Sequence, residues 1–337
     1  ISDLEIFFRW LEYFIFLTIF IVFLSITLIA YNNSFGLILQ KALSECIALI
    51  VLISCSFDSQ FYFSEYERIF EFYASLNHDF FVYYMKFLIC VFSSLYLFLF
   101  ADFLKEQKLI SFEYLIVIFF AIFGFLLMCA SFDMLIIYLT IELSSLAFYI
   151  LASFKKTSNY SVDSGLKYFI IGAISSSFFL LGSSIMYVFS GSVSFEDFYY
   201  LFTYIIVSEN YIDCADPIFL FWLESPSSNL ISGLNVIQFV NFYDLYNLEF
   251  LSLGITLILF SLFIKLALAP CHLWALDVYE GSPTNSTIFF AVISKLSIFV
   301  VLIKFSSYNF ELLSTWKYSF ISIGIFSVLI GSLGKLA

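Results

Sequence analysis

Residues 250–284 read FLSLGITLILFSLFIKLALAPCHLWALDVYEGSPT, an apolar run long enough to cross a bilayer, with Lys265 well inside it and Pro270 five residues later. Proline removes a helical hydrogen bond and its ring clashes with the preceding turn, so the run is expected to form two half-helices with a break between them. At membrane depth such a break is tolerated only where neighbouring protein or a hydrated cavity satisfies the freed backbone groups.

The rest of the chain has the same character. It is 62% hydrophobic and 22% aromatic, with only 12% charged residues and a mean hydropathy of +1.02. An ordinary soluble domain carries roughly 25% charged residues, so this is an all-α polytopic membrane protein. Apolar runs recur at about 20 residues each, the length a helix needs to cross roughly 30 Å of hydrocarbon, whereas a β-barrel would show short alternating segments. Nine spans are expected, over 9–31, 36–57, 80–101, 110–130, 132–154, 162–190, 250–279, 284–305 and 315–336. The first starts almost at residue 1 and is succeeded by many others, so it reads as a span and not as a cleaved leader.

The net charge of −12 comes mostly from the connections 58–79 and 191–249. Acidic extramembrane surface makes nucleic acid an unsuitable partner. Within the longer connection, EDFYYLFTYIIVS (196–208) is apolar but too short to span, and Pro217 and Pro226 interrupt the residues after it, so an interfacial helix or a docking surface is expected there. With the N-terminus on one side, the opposite loops hold Lys41, Lys105, Lys108, Lys155 and Lys156, against Arg9, Arg68, Lys304 and Lys317 on the first. The clustered lysines mark their side as the matrix or cytoplasmic face. High Phe and Tyr with abundant Ile and Leu match an AT-rich codon supply, hence an organelle-encoded protein, and a first residue other than Met fits a non-standard start or a processed end.

Three ionisable residues lie near mid-span. Glu142 is ten residues into its span, Lys295 eleven and Lys265 fifteen, placing them about 15, 16 and 22 Å along their helix axes. Charge at that depth costs a few kcal/mol or more, so by default it marks proton or ion movement. Burial disfavours a charged amine and a neighbouring carboxylate favours it, so lysine and glutamate together can hold or release a proton according to each other's state. The alternative is a static ion pair that orients helices. Two lysines for one carboxylate favour the relay. His272, two residues after Pro270, stands either as a carrier between Lys265 and Lys295 or as a structural hydrogen bond at the break. Lys167 and Lys86 lie about 8 and 9 Å from their nearer edges, close enough to snorkel in part. The small residues of GAISSSFFLLGSS (172–184) are explained by close helix packing.

The six cysteines show no CxxC spacing and read as small apolar core residues. There is no GxGxxG after a strand and no Walker loop, so no cofactor, nucleotide, cluster or metal is expected in this chain.

Five segments in consistent order carry a family resemblance: ELSSLAFYILASF (142–154), DSGLKYFIIGAISSSFFLLGSSIMY (163–187), FIKLALAP (263–270), HLWALDVYEGSPT (272–284) and SKLSIF (294–299). They resemble subunit 2 of respiratory complex I, the proton-pumping NADH:ubiquinone oxidoreductase. HLWALDVYEGSPT is the most specific, since the related subunits 4 and 5 resemble HxWLPDAHxxAPT there. The resemblance covers roughly residues 110–337 and implies an antiporter-like fold of two inverted five-helix repeats, each with a broken helix, set in a multi-pass membrane arm of the mitochondrial inner membrane. On that basis 1–109 would be three N-terminal helices, 110–305 the first repeat, and 306–337 the first helix of a second repeat.

By motif, Glu142 corresponds to the family's glutamate on the fifth helix, Lys265 to the lysine on the broken seventh, Lys295 to the lysine on the eighth, and Lys167 to the lysine of its LKY motif. The resemblance implies a proton relay of Glu142, Lys265, Lys295, Lys167 and His272, driven by quinone reduction elsewhere. NADH, FMN, iron-sulfur clusters and ubiquinone would belong to other subunits, which with lipid would be its partners. Cys271 replaces a usual Phe and Leu276 a usual Pro, both at the break. SIGIFSVLIGSLGKLA (322–337) resembles only the family's ninth helix, so a split subunit completed by a second chain is expected. A subunit of a multisubunit cation/proton antiporter, or a scaffold whose charges merely pair, are the competing readings.

Overall fold

The structure, a computed structural model, describes residues 80–107, 112–199, 245–308 and 317–333. The expected spans 9–31 and 36–57 lie outside these residues, as does most of the 191–249 connection. Among the described residues eight helices occur in order: α1 Phe80–Gln107, α2 Phe112–Ala130, α3 Met134–Ala152, α4 Asn159–Ser190, α5 Leu245–Leu266, α6 Leu273–Gly281, α7 Thr284–Tyr308 and α8 Lys317–Leu333. Among the described residues the protein is all-α, as lipid requires of a chain that must satisfy its backbone polar groups within each segment. Segments of α1, α2, α3, α4 and α7 are long and apolar enough to cross a membrane by themselves, and α5 and α8 contribute the shorter apolar stretches Phe250–Leu266 and Phe320–Ser332.

The chain folds into two compact units. The first contains α1, α2, α3, α4 up to Ile174, the three residues Lys265–Ala267, α6 and α7 up to Val301. The connection between α2 and α3 is only Ser131–Asp133, which forces an antiparallel hairpin. Gly124 lets the pair close: a Cβ there would stand 3.3 Å from both the Cβ and the backbone nitrogen of Ser144. Phe148 of α3 is the hub of the core, with ring centres 5.4 Å from Phe125, 5.8 Å from Phe289 and 4.8 Å from Phe290. Tyr96 of α1 joins that cluster, its ring 5.0 Å from Phe289 and its hydroxyl donating to the Asn285 carbonyl at 3.2 Å. Buried serines such as Ser93, Ser144 and Ser297 return their hydroxyls to carbonyls one turn back, so their burial leaves no unmet donor.

The second unit comprises the rest of α4, α5 up to Ile264, Leu268–Pro270, the end of α7 and α8. Its α4 and α5 segments meet through two glycines, since a Cβ on Gly182 would lie 2.7 Å from the Gly254 carbonyl oxygen. Phe178 against Phe260 and Phe263 against Phe320 fill the space beside this approach, at 5.4 and 5.7 Å between ring centres. After α4 a helical turn over 195–199 begins on Ser194, which accepts from the Asp197 backbone at 3.3 Å and donates to its carboxylate at 2.7 Å. Phe195 and Phe198 of this turn are buried, Phe195 against Phe305 at 6.1 Å.

The seventh run breaks as its proline requires, but the helix closes before the proline. α5 ends at Leu266, Ala267 takes a left-handed conformation (φ 57°), and the Leu268 backbone donates to the Phe263 carbonyl at 3.1 Å. This six-to-one bond over a left-handed residue is a Schellman ending, normally built on glycine. The Ala269–Pro270 bond is cis, and the chain resumes helix at Leu273.

Candidate intramembrane charge site

Glu142 lies eight residues past the start of α3, about 12 Å along the axis, and is half-buried. Its Oε1 is buried with no hydrogen-bond partner among the described residues. The hydroxyl of Ser145 stands 3.5 Å from Oε2, the outer limit of a hydrogen bond, while donating to the Glu142 carbonyl at 3.0 Å. A carboxylate so weakly satisfied is unusual, because buried polar groups are nearly always paired.

Lys265 supplies the neighbouring charge. It stands in the last turn of α5, whose final carbonyls have no helical donors and carry the negative end of the helix dipole. Ending the helix at Leu266 therefore does more than bend the chain, because it presents partial negative charge beside the ammonium. The Glu142 carboxylate is within electrostatic reach of Lys265, yet no ion pair closes between them.

The other expected residues are placed differently. His272 caps the start of α6 with φ −90° and ψ −14°, makes no capping bond through its side chain, and keeps Nδ1 buried without a partner among the described residues. Lys295, half-buried on α7, sits 5.7 Å from the ring centre of Tyr279. An ammonium over an aromatic face is favourable without a counter-charge. Lys167 does not join them: at 54% exposure it forms an ion pair with the equally exposed Asp277 of α6, with Asp163 and Glu280 also acting on it. That pair and the bare Gly281, where a Cβ would stand 2.6 Å from the Tyr160 carbonyl oxygen, lay α6 along the start of α4. All five residues belong to the first compact unit.

Two lysines differ from the sequence expectation. Lys86, expected to snorkel, is only 7% exposed, because α1 turns it toward the interior of its unit. Lys304, counted with a loop, lies inside α7 and is 5% exposed. Asp277, Tyr279, Ser145 and Tyr149 are neighbours of the site to which the sequence alone assigns no role. HLWALDVYEG does offer a signal for two of them, since a half-helix entered after a break is where charged and phenolic groups can project toward a lysine on a neighbouring helix.

These features define a class: a polytopic helical membrane protein with a broken helix and ionisable residues inside its spans. The model of the family described as NADH:quinone oxidoreductase/Mrp antiporter, TM, matches residues 131–337, and the chain belongs to that family. It is 32% identical over 265 residues to NADH-ubiquinone oxidoreductase chain 2 of Marchantia polymorpha, covering 79% of this chain and 47% of that protein. It is 34% identical over 235 residues to NADH-quinone oxidoreductase subunit N of Pelagibacter ubique, covering 69% and 41%. The chain thus spans about half the length of the curated relatives it matches.

Among solved structures it resembles a chain of respiratory complex I from Thermus thermophilus, with a TM-score of 0.56 and 21% identity over 86% of this chain and 52% of that one. It also resembles a chain of the Mrp complex from Dietzia, with a TM-score of 0.54 and 16% identity over 86% and 48%. At those identities the likeness shows the fold alone.

Proposed function

We propose that this chain is a proton-translocating membrane-arm subunit of an NADH:ubiquinone oxidoreductase, in the mitochondrial inner membrane. One observation carries the reading: within the first unit the Glu142 carboxylate acts electrostatically on Lys265, no ion pair joins them, and Glu142 Oε1 has no partner among the described residues. A pair evolved only to hold helices together would be expected to close, since leaving either charge partly unsatisfied in the interior is costly. An open pair suits a relay, in which the ammonium gives up its proton when the carboxylate withdraws and regains it when the carboxylate returns. Lys295, neutralised by no carboxylate among the described residues, would be the next acceptor, and His272 at the break the group able to pass a proton between the two lysines.

No redox step runs through these residues. NADH, FMN, iron-sulfur clusters and ubiquinone would be held by other subunits, and electron transfer there would displace the helices that carry the charges. The partners are the neighbouring membrane-arm subunits and the lipid. The names of the relatives from Marchantia and Pelagibacter support an NADH-linked assembly. The antiporter half of the family description supports a second reading, a subunit of a cation/proton antiporter.

Purified membrane complex containing this chain separates the two. NADH-driven quinone reduction that acidifies sealed vesicles is the expected result, and Lys265→Ala should abolish most of the acidification attributable to this subunit when it is measured per assembled complex. Cation-driven proton exchange with no NADH oxidation would replace the first reading by the second. Pumping unchanged by Lys265→Ala would reduce the charges to scaffolding.

A further inference from the structure

Glu142, Ser145, Tyr149 and Ser153 recur on α3 at intervals of three and four, so they form one stripe running from the buried carboxylate to the end of the helix. Ser145 is within 3.5 Å of Glu142 Oε2, and Tyr149 follows Ser145 by one helical turn on the same face of α3. Ser153 donates to the Tyr149 carbonyl at 2.9 Å. Tyr149 is three residues before the end of α3, about 5 Å along the axis from the loop that carries the exposed Lys155 and Lys156.

The facing helix is shaped to this stripe. Gly165, Tyr168 and Gly172 recur on α4 at the matching interval. A Cβ on Gly165 would stand 2.6 Å from the Ser153 Cβ, and one on Gly172 would overlap the Tyr149 hydroxyl outright. The Tyr149 ring is fixed edge-on against Tyr168 at 5.2 Å and Phe169 at 5.4 Å. Ring packing alone would be served by phenylalanine. The absent side chain at Gly172 makes room specifically for the phenolic oxygen.

We propose that Tyr149, seated on Gly172, carries protons together with Ser145 between Glu142 and the Lys155–Lys156 end of α3. In release, the O–H bond of protonated Glu142 breaks and its proton forms a bond to Ser145 Oγ. The Ser145 O–H bond breaks as its hydrogen bonds to the Tyr149 oxygen, and the Tyr149 O–H bond breaks as its hydrogen passes to a water at the helix end, which leaves as hydronium. Both hydroxyls finish neutral and Glu142 finishes as the carboxylate; uptake is the reverse. For uptake the Ser145 hydroxyl needs only to rotate from the Glu142 carbonyl to Oε2, both already within 3.5 Å. The unpartnered Oε1 leaves the other lobe of the carboxylate for Lys265.

This inference rests on the relay reading of Glu142, and the experiment keeps the two apart. Protons moved per NADH oxidised are measured in sealed vesicles holding the whole complex, for Glu142→Gln, Tyr149→Phe and Ser145→Ala. Expected is a fall in Glu142→Gln and, in Tyr149→Phe, at least half of that fall, with the complex assembled to the normal level because the ring and its packing remain. The solvent isotope effect on pumping should also change in Tyr149→Phe, which a packing role would not cause. An unchanged ratio in Tyr149→Phe beside a lowered one in Glu142→Gln overturns the inference and leaves the relay standing. An unchanged ratio in Glu142→Gln overturns the relay and the inference with it. If Tyr149→Phe fails to assemble, Ser145→Ala decides by the same criterion.

Discussion

The first unit holds two lysines opposite carboxylates, and they are held in contrasting ways. Lys167 lies within α4, an unbroken helix of 32 residues, and closes an ion pair with Asp277 at a position where both side chains are 54% exposed. Lys265 lies in the last turn of a helix that stops one residue later, and its facing carboxylate stays out of pairing distance. The closed pair is a fastener between α4 and α6. The open pair lacks the contact that would make it one, and its lysine stands in the last turn of α5, near the negative end of the helix dipole. Breaking the helix thus substitutes fixed backbone dipoles for a counter-ion, which frees the carboxylate to exchange.

The contrast fails first at the open pair if it is merely structural. Removing one member alone, as in Glu142→Leu or Lys265→Met, leaves an interior charge without the opposite charge that acts on it, which destabilises the unit. Each single variant should therefore assemble poorly, while the double variant regains assembly because neither charge remains. Pumping, however, should stay lost in the double variant. Comparing complex content by native gel with vesicle acidification checks this, and a double variant that pumps normally would make the pair a scaffold.

Much of this arrangement is legible in the sequence, for a definite physical reason. Hydrocarbon demands about 20 apolar residues per crossing, so α1 to α4 and α7 are visible as runs, and charges that interrupt them are conspicuous. Pro270 announces a break. Its position is not legible, because the helix ends on the left-handed Ala267, a residue type with no preference for that conformation and hence no signal. The Asp277 partner of Lys167 is likewise hidden, because the two are 110 residues apart and only the folding of α6 onto α4 brings them together. Tyr149 is inconspicuous for a related reason: its hydroxyl gains meaning only from the missing side chain of Gly172 on another helix.

A smaller effect is expected at the closed pair. Lys167→Ala or Asp277→Asn removes one fastening, but Gly281 still lies against Tyr160 and Ser164, and Trp274 still stacks on Tyr168 at 5.2 Å. Exposed pairs contribute little to stability. Each variant should keep most of its assembly and pumping, and the exchange Lys167→Asp with Asp277→Lys should restore whatever is lost. If Lys167→Ala instead removes pumping as fully as Lys265→Ala does, Lys167 belongs to the relay despite its exposure, and the distinction between the two pairs falls.

The smallest effect probes the helix end itself. Ala267 holds φ 57°, a conformation that costs a residue with a Cβ roughly 1–2 kcal/mol and glycine almost nothing. Ala267→Gly relieves that cost while adding freedom to the unfolded chain, so the net gain should be about 0.5 kcal/mol, visible as a rise of about 2 °C in the melting temperature of the complex. Pumping should not change, because the Leu268 to Phe263 hydrogen bond and the carbonyls beside Lys265 stay where they are. Ala267→Val works in the opposite sense, since a β-branched side chain is poorly tolerated at positive φ. It should shift or fray the last turn of α5 and weaken pumping through Lys265. Were Ala267→Val to lower the melting temperature yet leave pumping untouched, the carbonyls at the end of α5 would have no part in holding Lys265, and the open pair would owe its state to Glu142 alone.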